Sequence, residues 1–374
     1  MSRSKPFIIN LLQDADIRIN GSRAWDLQVH DERVFDRTLA YGSLGFGESY
    51  MDGWWDCEAL DQLLTRVFLS DIDKKVRNWR TLAYALTARV RNAQRKSKAF
   101  EIGERHYDVG NDLYKHMLDP RMVYTCGYWK DATDLASAQE AKLDLVCRKI
   151  GLTSGMRVLD IGCGWGSFVI YAAQKYGAEI VGITVSKEQL ALATQRAEGL
   201  PVELRLQDYR DVTGTFDRIV SLGMFEHIGY KNYRTYMQVA HRLLPEEGLF
   251  LLHTIGGNKS VHATDPWIEK YIFPNSMLPS IAQIGASIEG LFVMEDWHNF
   301  GTDYDKTLQQ WYANVERAWP ELADHYGERF HRMWCFYLLS SAATFRTRKN
   351  QLWQIVLSKG GLKFDTPLPR VLLS

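Results

Sequence analysis

The sequence predicts an α/β fold: a largely parallel sheet with helices on both faces, preceded by a small, mostly helical amino-terminal domain. Three observations carry that expectation. From about residue 137 onward, short apolar runs of strand length alternate with stretches of helical periodicity. A glycine-rich turn, Gly162-Cys-Gly-Trp-Gly166, directly follows the first of those runs. Residues 1 to about 70 read instead as a helical unit, and 374 residues exceed one ordinary domain. The division expected is therefore 1–98, a helical domain with a basic linker helix, and 99–374, the α/β domain.

In the amino-terminal part, Leu60, Leu63, Leu64, Val67 and Phe68 recur at helical spacing, while Gly42, Gly45, Gly47 and Gly53 interrupt an aromatic-rich stretch. No catalytic constellation stands out there. From Ile72 to Lys98 the character changes: Lys74, Lys75, Arg77, Arg80, Arg89, Arg91, Arg95, Lys96 and Lys98 face only Asp73, beside Val76, Trp79, Ala83, Leu86 and Val90. That pattern suits an interfacial amphipathic helix, and equally a linker helix with a solvated basic face.

The α/β part opens with Ser137-Ala-Gln-Glu140, read as a capping box for a helix carrying Leu143, Val146, Cys147 and Ile150 on one face. Strands are expected at Arg157 to Ile161, Ile180 to Thr184, Val202 to Leu206, Arg218 to Leu222 and Leu249 to Thr254, with two more at Glu289 to Asp296 and Leu352 to Ser358. Helices are expected at Phe168 to Tyr176, Lys187 to Glu198 and Tyr233 to Leu244, and over long stretches between Lys306 and Lys349.

Composition narrows the function classes. Lys plus Arg and Asp plus Glu each number 45, so no global field recruits nucleic acid. The five cysteines form no CxxC pair or zinc spacing, which points away from a metal site and a disulfide framework and towards a reducing cytoplasm. No run of roughly 20 apolar residues is present to span a bilayer, so a membrane would be met from its surface.

In a doubly wound sheet the ligand lies beyond the carboxyl ends of the strands, where the chain order reverses. Gly162, Gly164 and Gly166 fall at that point, and Asp160 at the strand end is placed to order the loop or a donor's amino group. Ser186-Lys-Glu-Gln189 reads as a capping box where an adenosine ribose would lie, and Thr184 stands where many such folds have an acid. After the third strand, Gln207-Asp208-Tyr209 offers a carboxylate for an adenine amino group and a ring beside it, although Asp208 also suits a turn or cap. Val158-Leu-Asp-Ile-Gly-Cys-Gly-Trp-Gly166 thus reads as the cofactor loop of a class I S-adenosylmethionine-dependent methyltransferase, a Rossmann-like fold with a seven-stranded sheet. The form of the loop and the missing acid disfavour a nicotinamide enzyme.

Three further stretches concentrate unusual residues: Tyr124-Thr-Cys-Gly-Tyr-Trp129, Gly223-Met-Phe-Glu-His-Ile-Gly229 and Leu252-His-Thr-Ile-Gly256. With these the sequence resembles the cyclopropane fatty acid synthases. The likeness extends over Gly42-Ser-Leu-Gly-Phe-Gly-Glu-Ser-Tyr-Met-Asp-Gly-Trp-Trp55, His106-Tyr-Asp-Val-Gly-Asn-Asp112, Asp265-Pro-Trp-Ile-Glu-Lys-Tyr-Ile-Phe-Pro274 and Glu295-Asp-Trp-His-Asn-Phe-Gly301. The resemblance implies methylene transfer from S-adenosylmethionine to the double bond of an unsaturated phospholipid acyl chain. It also implies a bicarbonate ion held by Cys126, Glu226, His253, the backbone of Ile255, and Tyr304. It places Tyr124, Thr125, Gly162, Gly164, Thr184, Gln189, Asp208 and Tyr209 around the donor, and makes Tyr124, Tyr128, Trp129 and Phe225 candidate rings facing a cationic intermediate. It further implies a homodimer in the cytoplasm, peripherally associated with the inner face of the cell membrane through the amino-terminal domain.

Each assignment has a plainer alternative. His253 suits a satisfied core histidine, Glu226 a helix-cap acid, Cys126 a small buried hydrophobe and Tyr304 an exposed loop residue. Ser341 stands where some relatives carry a cysteine, which argues against covalent catalysis there, and Thr125 replaces a more usual serine while keeping the hydroxyl. Two other functions remain open from sequence: a related methyltransferase making methyl- or methylene-branched lipids or methylating a small amine, and a non-catalytic lipid-binding relic.

Overall fold

The structure, a computed structural model, describes residues 4–75 and 110–362. The basic segment beyond Lys75 and the first part of the His106–Asp112 motif lie outside the described residues.

Seven strands form the sheet: β1 (Arg157–Ile161), β2 (Glu179–Thr184), β3 (Val202–Leu206), β4 (Arg218–Leu222), β5 (Leu249–Gly257), β6 (Val293–Asn299) and β7 (Asn350–Ser358), in the spatial order β3-β2-β1-β4-β5-β7-β6. β1 to β5 pair in parallel, and β6 runs antiparallel to β7 with a bulge between Met294 and Asp296. The order reverses direction between β1 and β4, which sets the ligand crevice at the carboxyl ends of those strands. β1, β2, β4 and β5 are apolar along much of their length because helices cover both faces, and two buried clusters result, whereas β3 at the sheet edge alternates apolar and charged residues. One gathers Leu159, Ile161, Ile219, Phe250 and Leu252 with Tyr236 and Met237, and the other Val158, Val220 and Leu251 with Leu143, Val146 and Val169.

The helix Leu135–Lys149 begins earlier than the sequence suggests. Asp134 is its N-cap, accepting from the Ser137 amide at 2.8 Å, and Ser137 answers from the third position of the box. The reading of Ser137 as the cap missed by one turn because Asp134 and Ser137 are both capping residues three apart. Ser186 does cap the helix Lys187–Arg196, but Gln189 does not complete the box: its Oε1 accepts from the Thr184 hydroxyl at 2.9 Å. The sixth strand starts at Val293 rather than Glu289, since Gly290 (φ 68°) turns the chain out of the helix Ile281–Ile288 first. The long helical stretch is two helices, Thr302–Tyr326 and Glu328–Arg346, broken at Gly327 (φ 75°).

The described residues gather into two compact units. One holds those up to Lys75 together with His262–Pro274 and Tyr304–Asn350, and the other holds the remainder. Two carboxy-terminal segments therefore group with the amino-terminal helices, a division the single boundary at 98/99 does not include. Helical pairing explains this: Arg346 on the last helix binds Asp305 at 2.8 Å and Asp61 of Leu60–Leu69 at 2.7 Å, and the Gly47 Cα is approached so closely by Trp267 that a Cβ there would lie 2.5 Å from the indole. The aromatic, glycine-rich Gly42–Trp55 stretch is in this sense a packing motif, with Trp55 fully buried and stacked on Phe46 at 4.3 Å.

Candidate active site

The glycine turn is built as the sequence leads one to expect. Gly162, Gly164 and Gly166 have φ of 90°, 56° and 84°, a region that side chains adopt reluctantly. The amides of Gly162 and Cys163 both donate to the Ile183 carbonyl at 3.0 Å, which moors the turn to β2, while a Cβ on Gly164 would meet only open space. Trp165 and Arg196 fix the far side: the indole donates to Asn111 at 3.1 Å, and the guanidinium donates to the carbonyls of Trp165 at 2.7 Å and Arg121 at 2.9 Å. Arg196 thereby ties the turn to the chain leading into Tyr124, whose ring lies 5.2 Å from Tyr114.

Around this turn the other donor candidates are mostly buried and already ordered. Thr184, Ser186 and Gln189 form one hydrogen-bonded group at the end of β2, with the Ser186 amide donating to the Thr184 hydroxyl at 3.2 Å. Asp208 caps the short helical turn Tyr209–Asp211 and pairs with Arg210 at 3.0 Å, so its structural role is real, and Tyr209 is buried beside it. Asp160 is buried, its Oδ1 has no hydrogen-bond partner, and burial pushes its carboxyl up to about 7.

The three unusual stretches converge at the carboxyl ends of β4 and β5. Gly223 (φ 73°) donates its amide to the His253 carbonyl at 2.9 Å, and a Cβ at Gly223 would lie 2.7 Å from the Thr125 methyl. Glu226 accepts from the Ile255 amide at 2.6 Å, and its own carbonyl accepts from the Met277 amide at 2.7 Å. His253 and Ile255, two apart on β5, face the same side of the sheet. Cys126, fully buried, donates its thiol to the Gly127 carbonyl at 3.1 Å.

Three buried polar atoms here lack a partner: Glu226 Oε2, His253 Nε2 and Gln354 Oε1. Native interiors rarely leave such atoms unsatisfied, and a polar ligand here would find groups free to bind it. Burial raises Glu226 to about 7, which lets it carry a proton near neutrality, and drives His253 well below its ordinary value, so the ring is neutral. The Gln354 amide nitrogen lies 3.4 Å from Nδ1, and in the tautomer where Nδ1 accepts from it the imidazole proton is on the unpartnered Nε2. The result is two potential donors, an acid and a neutral imidazole, in a dry place.

Aromatic side chains bound the same region. Phe300 stands 5.9 Å from His253 and 5.4 Å from Tyr128, and His298 lies 5.0 Å from Phe300. The Trp129 amide donates to Asp303 at 2.7 Å, anchoring this stretch. Phe225 differs from expectation: it is fully buried, stacked on Tyr233 at 4.2 Å, so its face serves the core. Tyr304 belongs to the other unit, buried in the helix Thr302–Tyr326 with its ring 4.6 Å from Phe345, and is not the exposed loop residue of the plainer alternative. The Ile255 amide, offered to an ion by the resemblance, is engaged by Glu226 in this structure.

Sequence reasoning passed over Lys142, Gln139, Arg196 and Gln354. Lys142 is fully buried on the helix Leu135–Lys149 and donates to the Thr125 hydroxyl at 2.9 Å, while Gln139, one turn earlier, donates to the Thr125 carbonyl at 2.7 Å. The signal available was a lysine on the same helical face as Leu135, Gln139 and Val146, where a solvated side chain does not belong.

A glycine turn at the topological switch, a capped second helix and an acid after the third strand define the class: a Rossmann-like transferase that draws its one-carbon group from S-adenosylmethionine. The chain belongs to the mycolic acid cyclopropane synthetase family, which it matches over residues 94–355. It is 54% identical over 351 residues to the cyclopropane-fatty-acyl-phospholipid synthase of Escherichia coli strain K12, covering 94% of this chain and 92% of that one. The tuberculostearic acid methyltransferase UfaA1 of Mycobacterium tuberculosis is 34% identical, with 91% and 84% covered. Among solved structures, the cyclopropane synthase MmaA2 from Mycobacterium tuberculosis superposes with a TM-score of 0.66 at 30% identity, covering 70% of this chain and 98% of that one. The mycolic acid cyclopropane synthase CmaA1, complexed with SAH and CTAB, gives 0.65 at 33% identity with the same coverage.

Proposed function

We propose that this enzyme is a cyclopropane-fatty-acyl-phospholipid synthase: it transfers a methylene group from S-adenosylmethionine to the cis double bond of an unsaturated acyl chain in a phospholipid. The single observation that carries the site assignment is the pair of unsatisfied buried atoms, Glu226 Oε2 just after β4 and His253 Nε2 on β5.

The chemistry explains why such a site is needed. An isolated alkene is a weak nucleophile, and the chain must hold its π bond in line with the sulfonium methyl; positioning of that kind removes ~7–11 kcal/mol of barrier. As the alkene takes the methyl, the sulfonium leaves as a neutral thioether and a carbocation forms on the acyl chain. Removal of one proton from the new methyl lets its carbon close on the cation, so that the net gain is one CH₂. Exclusion of water is the protein's task at that stage, and the buried Cys126, His253 and Phe300 supply a dry wall, with ring faces worth up to ~2 kcal/mol to a desolvated cation.

The orphaned Nε2 and a protonated Glu226 fit an oxyanion, and Cys126, Glu226 and His253 are the residues we assign to hold bicarbonate. Bound there, the ion would supply the base that takes the proton. Tyr124, Thr125, Asp160, Gly162, Gly164, Gly166, Thr184, Gln189, Asp208 and Tyr209 are assigned to the donor. We further infer a homodimer that works from the membrane surface at its cytoplasmic face; among the described residues no helix is long and apolar enough to cross a bilayer.

The test is incubation of the purified protein with methyl-labelled donor and vesicles of monounsaturated phospholipid. Label recovered in the lipid together with cyclopropane protons by NMR is the expected outcome, with none from saturated vesicles. Label in a small amine and none in lipid would contradict the assignment.

A further inference from the structure

A lysine in a protein interior is costly unless its charge is used, because the ammonium gives up its hydration. Lys142 is fully buried on the helix Leu135–Lys149, at a position a methionine would fill without that cost. Its Nζ donates to the Thr125 hydroxyl at 2.9 Å, and the groups that face it electrostatically are Asp119, Cys126 and Asp160. His253 also feels its charge, together with that of Lys149. Asp119 is itself used by the chain it holds, accepting from the amides of Arg121 at 2.9 Å and Val123 at 2.8 Å. Gln139, one helical turn away, takes the Thr125 carbonyl. One helix face thus grips both the carbonyl and the side chain of Thr125, in the stretch whose methyl group abuts Gly223 and whose next residue is Cys126.

We propose that Lys142 is a positioning residue for the transfer: its buried ammonium fixes the Thr125 hydroxyl and, set among Asp119, Asp160 and Cys126, holds the Tyr124–Cys126 stretch against the donor turn. The inference rests on the assignment of Thr125 and Asp160 to the donor pocket. The arrangement has a chemical logic. The donor brings a sulfonium and an ammonium, and a third cation in the same pocket would repel them unless countered; Asp160, with one oxygen unsatisfied, is the carboxylate placed to do so. Lys142 stands back from the donor by one residue and acts through Thr125. Burial lowers its ammonium to about 8, so the grip on Thr125 weakens within an accessible pH range.

The experiment measures the dissociation constant of S-adenosylmethionine by calorimetry between pH 6.5 and 9.5 for the full-length wild-type protein and for Lys142→Met, Thr125→Val, the double variant and Asp208→Ala. We expect Lys142→Met and Thr125→Val each to weaken donor binding by about tenfold at pH 7, with the double variant no worse than either alone, since both remove one interaction. The wild-type advantage over Lys142→Met shrinks as pH rises through 8; the donor's own amino group titrates against both proteins and cancels in that ratio, whereas Asp160, which Lys142 helps to ionise, adds to the same trend, and Thr125→Val, which keeps Lys142, isolates the grip on Thr125. A merely structural Lys142 would lower the melting temperature and leave the ratio independent of pH, which overturns the proposal. Should Lys142→Met not fold, Thr125→Val decides: a flat ratio of its affinity to wild type across the same pH range overturns the proposal equally. Asp208→Ala separates the two levels. Weakened binding there with unaltered binding in the Thr125 and Lys142 variants rejects the positioning role alone, whereas unaltered binding in all variants rejects the donor-pocket assignment as well.

Discussion

Glu226 accepts from the Ile255 amide, the Thr254 hydroxyl also favours its charged form, and its Oε2 is left without a partner in a dry place. Its carboxyl, ordinarily near 4.5, titrates at about 7. Below 4.5 the folded and unfolded chains are both protonated and nothing is lost. Between 4.5 and 7 the unfolded chain releases the proton while the folded chain keeps it, so stability falls as pH rises, and above 7 the cost is complete. We therefore expect Glu226→Gln to stabilise the ligand-free protein at pH 8 by about 1–3 kcal/mol and to leave it nearly unchanged at pH 4.5, by urea unfolding. The same variant should lose ~10²-fold or more in lipid product formation. A residue that is better for folding when replaced and worse for turnover is kept for chemistry. Glu226, just after β4, and His253, on β5, stand out in the sequence because both fall where strands lead to the crevice. Lys142 was not, since a lysine in a helix is ordinarily a solvated one and only packing reveals that this one has no water.

Elements were legible where periodicity is strong and were misplaced where two residues of equal capping strength compete. The strands Val202–Leu206 and Arg218–Leu222 have the expected bounds, the first by alternation of apolar and charged residues and the second by its apolar run, with turn residues flanking both. The helix Leu135–Lys149 was displaced by a turn because the sequence contains Asp134 and Ser137 in succession, and the choice depends on which amide is left over once the helix has packed. Gly256, on β5, has a reason that no local pattern contains: a Cβ there would lie 1.9 Å from Cζ3 of Trp353 on β7. Gly256→Ala should therefore cost about 1–3 kcal/mol through overpacking, read as a lower urea midpoint with an unchanged slope. It should also disturb His253, three residues earlier on the same strand, so donor-dependent turnover should fall further than stability alone accounts for.

On the scale of the whole molecule, net charge is zero, so attraction to an anionic bilayer must come from a local concentration of Lys and Arg. The richest such concentration runs from Lys74 to Lys98 and lies largely outside the described residues. Charge reversal at Lys74, Lys75 and Arg77 is expected to weaken cosedimentation with anionic vesicles, by ~1 kcal/mol per well-placed charge, and to leave S-adenosylmethionine binding intact. Unchanged cosedimentation would remove this segment from the membrane contact. The grouping of His262–Pro274 and Tyr304–Asn350 with the amino-terminal helices was not legible, because helix-to-helix partners far apart in sequence share no periodic signal. The α/β domain was, since its alternating pattern and its glycine turn are local.

Ring formation and branching differ in what becomes of the transferred methyl, and a donor carrying a trideuterated methyl group measures that directly. The enzyme is incubated with this donor and vesicles of a cis-monounsaturated phospholipid, and the lipid is analysed by mass spectrometry and NMR. Loss of one deuteron from the new methyl before ring closure predicts a cyclopropane whose bridging carbon carries two deuterons. An acyl chain that keeps all three on a methyl branch would contradict the account.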